Sequence, residues 1–441
     1  MDKEHLKRLY RAWSQKRGKY IIKPTDFPEH FLVRFSKNGK LLLEYIYCHL
    51  SEKYGLDHLH RKNKRNLYVI NDYLKGKSQT LSVKTLRTVK WYIKHYSLDF
   101  NFDLIEKEAI LIKSGKGNHS VLKAKFPLDL RDPLFAYILG LSFDSYLGSF
   151  CFTNTNNTLL NLAETKFNSF GFTCKVRDKR DNMKEISVGK IASQIIKLAG
   201  FEISTKQIDS NNPLPKWVFE ETNISFLGNF LAALIDTEGN VYRRVIRISQ
   251  NNRHKFDDSN LKIENMKILP VCNTTFIYQI SQKENPGIVK KIREDPPLIL
   301  ISVQHLLENI GVNSRLNLEK IYLKRNLDLC SSWNLIVHGK NNMESIYNLI
   351  RYTSVKGHKL KELLGKYKNS SCGRNQRIPN FITTISDIGK CRTAFTSKDI
   401  VSETRRKFKT VVSDLEYMRS KNIIECVGKE GRFKKWILIT N

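Results

Sequence analysis

Apolar and polar positions alternate along this chain with two periods, one helical and one strand-like, and the two take turns. Residues 39–56, GKLLLEYIYCHLSEKYGL, carry apolar side chains at helical spacing and read as one amphipathic helix. In 78–98, Leu81, Leu86, Val89 and Ile93 mark a second helix, and Ser82 supplies its start signal. The pair reads as a small helix-turn-helix-like unit. Residues 113–132 are polar and read as a linker closed by prolines.

From 133 onward the pattern repeats itself. Residues 133–156 run as an apolar helix into a glycine and a strand, and 224–252 do the same. In each copy an amphipathic helix follows, NTLLNLAETKFNSFGF in one and LISVQHLLENIGV in the other. Strand-like runs come next, TCKVRDKRDNMKEISV and RLNLEKIYLKRNLDLCSSWNLIVHG. Each copy closes on a further helix, GKIASQIIKLAGF and NNMESIYNLIRYTS. Both copies therefore read as helix, strands, helix, strands, helix. The second carries an extra segment, about 253–294, which reads as an insertion loop. Residues 369–380 form another linker, and 381–441 a separate unit: a short helix opened by Thr396, a longer one with Phe408, Val411, Val412, Leu415 and Met418 inward, and a hairpin turning at Lys429-Glu430-Gly431.

Composition adds a partner. The 441 residues hold 75 Lys and Arg against 43 Asp and Glu, a formal net charge of +32 spread along the whole length. A field this positive points to a polyanion, nucleic acid before membrane. No stretch of roughly 18 unbroken apolar residues appears, and the N-terminus is too charged for a signal peptide. The eight cysteines form no C-x-x-C pair, which argues against a zinc cage and fits a reducing compartment. The expected location is cytoplasmic (nucleoid-associated) or organellar, not secreted.

The two copies of the repeat begin with apolar helices that end differently. The second, FLAALIDTEGNV at 230–241, finishes on two acids and a glycine. Its stretch LAALIDTEG (231–239) resembles the LAGLIDADG motif of the homing endonucleases. NPLPKWVFE (212–220), FTNTNNTLLN (152–161) and VHGKNNMESIYNLIRYTSVKGHKLKELL (337–364) agree with that resemblance. It covers about 110–368.

The resemblance implies an α+β fold in which two pseudo-symmetric αββαββα repeats, 133–211 and 212–368, form a DNA-binding saddle. A basic helical region, 1–112, and a C-terminal winged helix, 381–441, flank it. It implies motif helices packed through small residues, Gly140 and Ala233, with Ile138, Leu141, Leu231 and Leu234 filling the seam. It makes Glu238 a catalytic and metal-binding acid, with Asp236 a cap or salt-bridge partner. In the first copy, counting five from Gly140 lands on Ser145; counting back from YLG instead makes Asp144 the acid. Lys206 and Lys356 match the basic residue kept after the third helix of a repeat. The resemblance implies that these two acids converge on Mg²⁺ or Mn²⁺.

The strands between the motifs offer a reading surface: Arg177, Lys179 and Arg180 in one copy; Tyr242, Arg244 and Arg247 in the other. Arg405, Arg406 and Lys409 crowd the start of the long helix in the last unit. The implied activity is Mg²⁺-dependent, site-specific cleavage of double-stranded DNA by a free-standing monomer. The alternative is a non-cleaving DNA-binding regulator or an intron RNA maturase.

Overall fold

The computed structural model describes residues 2–15, 18–54, 68–115, 120–204, 207–220, 223–242, 245–254, 267–271, 275–280, 285–323, 329–368, 382, 385, 394–404, 408–431 and 433–439. The fold is α+β, and it divides into two compact units, Met1–Leu364 and Gly365–Asn441.

The first unit opens with α1 (Lys3–Gln15), whose Leu9 and Trp13 are buried and pack with Ile301 far along the chain. Strands β1 (Ile21–Ile22), β2 (Leu32–Phe35), β3 (Leu81–Ser82), β4 (Ala109–Lys113), β5 (Val121–Leu122) and β6 (Leu128–Asp129) follow. Among them sit α2 (Lys37–Tyr54), α3 (68–74), α4 (Val83–His95) and α5 (Asp103–Lys107). The sheet order β3-β2-β4-β5 makes this region mixed rather than purely helical. The helix expected from Ser82 forms as α4, and the Ser82 side chain accepts from the Thr85 N–H. Segment 113–132, expected as a linker, supplies β5 and β6 and buries Leu122, Phe126, Leu128 and Leu130.

Next comes α6 (Pro133–Leu141), capped by Asp132 with a proline at its first turn. Every residue from Phe135 to Leu141 is buried. A helix that is apolar on all sides must be covered on all sides. It is followed by β7 (Cys151–Asn154), α7 (Asn157–Phe170), β8 (Lys175–Asp178), β9 (Lys184–Ser187) and α8 (Lys190–Leu198). Asn156 caps α7 at one end, and Gly171, at φ 104°, ends it at the other. The sheet order is β7-β9-β8. The strand expected before β7 is reduced to a single bridge between Tyr146 and Cys151.

The hairpin β10 (Ile203–Ser204) with β11 (Gln207–Ile208) and the short α9 (Trp217–Glu220) lead to α10 (Ile224–Thr237). Asn223 caps α10, and all eleven residues from Phe226 to Asp236 are buried. Then come β12 (Gly239–Tyr242), β13 (Val245–His254), β14 (Lys267–Val271), β15 (Thr275–Gln279), α11 (Pro286–Arg293), α12 (Leu298–Asn309), β16 (Ser314–Leu323), β17 (Leu329–His338), α13 (Lys340–Ile350) and α14 (Gly357–Lys368). The strands form one antiparallel sheet, β12-β13-β17-β16-β15-β14. The segment expected as an insertion loop thus contributes two strands to its edge. Its helix α11 buries Ile288, Val289 and Ile292 with Ile321, Leu323 and Leu329 of the sheet.

The second unit contains β18 (Phe395–Thr396), α15 (Ser397–Thr404), α16 (Phe408–Ser420), β19 (Ile424–Glu430) and β20 (Phe433–Leu438), with sheet order β18-β20-β19. Phe395, Ile400, Val411, Leu415, Met418, Ile424 and Trp436 form its core. Phe408, expected inside, is exposed and meets Phe433 edge to face. Among the described residues no helix is long and apolar enough to cross a membrane.

Candidate active site

Helices α6 and α10, buried from Phe135 to Leu141 and from Phe226 to Asp236, lie against each other. Gly140 and Ala233 meet at their contact: a Cβ added to Gly140 would lie 2.6 Å from the Ala233 Cβ and 2.7 Å from the Phe230 carbonyl oxygen. Real Cβ contacts do not come that close, so only glycine permits this approach. Phe143 packs edge to face on Phe230 at 5.9 Å, further along the same seam.

The helix ends solve the problem posed by the shorter first copy. The α-helical part of α6 stops at Leu141, and Ser142–Asp144 form a 3₁₀ turn. One α step and three 3₁₀ steps climb about 7.5 Å from Gly140 to Asp144, as much as the five α steps from Ala233 to Glu238. The tighter winding also recovers rotation, at about 120° per residue against 100°. Asp144 therefore reaches the level of Glu238 with one residue fewer.

Asp144 and Glu238 interact. The Glu238 carboxyl is pushed up to about 8, by burial first and then by the negative charge of Asp144; a hydrogen bond from Gln250 and the charge of Lys356 work against it. Asp144 is an exposed residue, yet protein crowded around its carboxyl raises its proton affinity too, and Lys356 again opposes. Two acids held together against their own charge, with Lys356 the one lysine acting on both among the described residues, have a use for a further cation.

Lys356, between α13 and α14, is fixed in place. Its ammonium donates to the carbonyl oxygens of Ile235 at 2.9 Å and Gly239 at 2.6 Å, at the C-terminal end of α10. A cation there suits the negative end of the helix dipole. Burial lowers its proton affinity, while Asp236, Glu238 and Asp144 raise it.

Asp236 points into the protein. It accepts from the Ser354 hydroxyl at 2.6 Å and from the backbone N–H groups of Val355 and Lys356, both at 2.9 Å. The Tyr137 hydroxyl of α6 lies 3.4 Å from it. Asp236 thus ties the turn that carries Lys356 to the end of α10. Ser145, the other candidate in the first copy, is fully buried, and its hydroxyl donates to the Leu141 carbonyl at 2.7 Å. Its hydroxyl is thus spent on the backbone of its own turn. Lys206 lies outside the described residues.

Both sheets turn a polar face outward. On the first, Arg177 pairs across from Glu185, which pairs in turn with Thr153. Arg177, Lys179 and Arg180 are exposed, and Lys179 meets Glu185 at 3.0 Å. Strand alternation puts Tyr242, Arg247, Ser249 and Asn251 on one face of the second. The Ser249 hydroxyl donates to Asn334, the Asn334 amide donates to Glu319, and Arg247 reaches Glu319 at 3.4 Å. Arg244, Arg405 and Arg406 lie outside the described residues; Lys409 is exposed on α16.

Sequence reasoning missed Gln250, Tyr137 and Ser354. Gln250 carried a signal: it continues the alternation of Ile246 and Ile248 toward the helices, a polar residue in line with apolar ones. Tyr137 carried one too, since a hydroxyl in an otherwise apolar helix needs a partner.

Among the described residues no group of three or more His, Cys, Asp or Glu side chains gathers to hold a metal ion. The donor set here is two carboxylates, all oxygen, which fits Mg²⁺ or Mn²⁺ completed by water and phosphate.

No family model and no curated protein matches this chain. Among solved structures it is similar to I-DmoI in complex with DNA and Ca, at 14% identity and a TM-score of 0.30, over 53% of this chain and 98% of that one. The complex of I-DmoI with DNA and Mn gives 13% identity and a TM-score of 0.28, over 50% and 97%. Mesophilic variants of the homing endonuclease I-DmoI give 13% and 0.28, over 50% and 96%. A partial likeness of this size assigns no residue and no activity.

Proposed function

We propose that this chain is a site-specific endonuclease of double-stranded DNA, of the LAGLIDADG homing type. One observation carries the reading: two helices packed through Gly140 and Ala233 bring Asp144 and Glu238 near enough for the charge of one to act on the other, with the charge of Lys356 acting on both. The shared element order of 133–211 and 212–368 supports a pseudo-symmetric saddle, and the outward polar faces of the two sheets support a DNA surface. The positive charge of the whole chain favours that partner. The last unit, with its two helices and hairpin, is read as a winged helix that adds DNA contacts through Lys409.

Asp144 and Glu238 are the residues that would hold Mg²⁺ or Mn²⁺. When bound, such a cation lowers the pKa of an attacking water and stabilises the leaving oxygen of the phosphodiester. Gln250 orients the Glu238 carboxylate by donating to it. Lys356 spends two of its three N–H donors on the end of α10, and the third serves a phosphate oxygen or the attacking water. Asp236 acts through Lys356 by fixing its turn.

The test is cleavage of a plasmid carrying a site selected from a randomised duplex library, with Mg²⁺, Mn²⁺, or Ca²⁺ as a binding-only control. Asp144→Asn and Glu238→Gln should each abolish linear product and leave binding largely intact. Efficient linearisation by Glu238→Gln would refute the assignment. Tight duplex binding with no cut strand under any of these ions would make the chain a regulator, and preference for intron RNA over duplex DNA a maturase.

A further inference from the structure

Outside the paired sheets the molecule carries a helix with a basic outer face. Helix α4, VKTLRTVKWYIKH, holds four lysines and arginines and a histidine, and no acid. Its inner face is settled: Val83, Leu86, Val89, Tyr92 and Ile93 are buried. Two of its cations are used to hold it in place. Arg87 donates to the carbonyls of Thr25, at 3.0 and 2.9 Å, and of Phe27 at 2.9 Å. Lys90 lies 3.5 Å from the buried Glu106 carboxylate and over the Phe102 ring.

What remains is a straight outer stripe. At 100° per residue, Lys84, Thr88, Trp91 and His95 fall within a sector of about 60°, along a rise of roughly 16 Å. Trp91 is 46% exposed, and it stacks on His95 with ring centroids 4.4 Å apart at an interplanar angle of 12°. Lys94 is exposed beside them. Water is a poor neighbour for a stacked tryptophan, and no acid on the helix balances the lysines.

We infer that α4 lies in the major groove of duplex DNA, where Lys84 and Lys94 meet phosphates and the Trp91–His95 stack meets base edges. The shape fits: an α-helix of about 10–12 Å diameter enters a B-form major groove about 12 Å wide. The narrow major groove of A-form RNA excludes it. Apolar contact of an aromatic edge with a thymine methyl is a recognised form of base reading. The inference rests on the reading that this chain binds duplex DNA and does not require cleavage. It adds a DNA segment that the two sheets do not cover, so the bound site is longer than the sheets alone account for.

The experiment is hydroxyl-radical footprinting of the full chain on a duplex selected from a randomised library, comparing wild type with Lys84→Glu/Trp91→Ala/His95→Ala and with Trp91→Ala alone. Circular dichroism checks that both variants fold; their side chains are exposed, and the single variant stands if the triple does not fold. The triple variant should bind roughly ten- to a hundredfold more weakly, as loss of one good base contact implies. Its footprint should shorten at one end, with the cut positions unchanged at saturating protein. An unchanged footprint and affinity would overturn the inference and leave the stripe to an acidic protein partner. Uniform weakening along a full-length footprint would also overturn it. A wild type that binds duplex but never cuts removes the endonuclease reading and leaves this one; a wild type that binds no duplex removes both.

Discussion

Glu238 should make the metal-free protein less stable as pH rises, and removing its charge should restore that loss. Its carboxyl moves from an ordinary 4.5 to about 8 on folding. Between those values the folded chain keeps a proton that the unfolded chain has released, so stability falls with rising pH across the window. At 1.36 kcal/mol per pH unit the full penalty is about 5 kcal/mol. Solvent still reaches the carboxylate and screens part of it, so a loss of about 2–4 kcal/mol is expected. Glu238→Gln keeps the shape and removes the charge. In chelator, urea unfolding followed by tryptophan fluorescence should show the variant more stable than wild type at pH 8.5. The two should converge below about pH 3.5, a unit under the unfolded value, where the wild-type carboxyl is protonated in both states. Mg²⁺ should then reverse the order, because a cation bound only by the folded chain stabilises it by RT ln(1 + [L]/Kd). That is about 2.7 kcal/mol at a hundredfold excess over Kd. The variant should gain much less. If Glu238→Gln is no more stable at pH 8.5 and gains as much from Mg²⁺ as wild type, the acid pair does not hold a metal.

Other outcomes follow from the same geometry. Gly140→Ala should force the motif helices apart and cost about 1–3 kcal/mol, with cleavage lost alongside; denaturation of an unchanged protein would show that the contact yields. Asp236→Asn leaves one oxygen for the Ser354, Val355 and Lys356 donors, so stability should fall by about 1–3 kcal/mol. Cleavage should drop with binding retained, because Lys356 loses its support, and a cleavage rate equal to wild type would remove Asp236 from that role. Ser145→Asp should not improve cutting: it would place a charge in the core where Ser145 now bonds Leu141, and should destabilise by about 3 kcal/mol. A gain in linear product would show that Ser145 faces the site. Binding of a selected duplex should weaken steeply with salt, by roughly 0.9 in the log–log slope per neutralised phosphate; a slope of about one or two would be too shallow for so large a basic surface.

The sequence by itself determined the two apolar helices and the acids that close the second. Periodicity records which side chains must be hidden, and FLAALIDTEGNV can hide its apolar run only in a helix covered on every side. Alternation likewise displayed the strand residues Arg177 and Arg247. It could not show that the segment expected as an insertion loop, about 253–294, would extend the second sheet through β14 and β15. Those strands borrow their order from the edge they join. Nor could it decide between Asp144 and Ser145. Residue counting assumes 100° per residue, whereas the turn after Leu141 winds as a 3₁₀ helix and lifts Asp144 to the level of Glu238. The proton affinity of Glu238 belongs wholly to the tertiary structure. A glutamate at a helix end is ordinary until a second helix, held at the distance a single glycine allows, brings another carboxylate beside it.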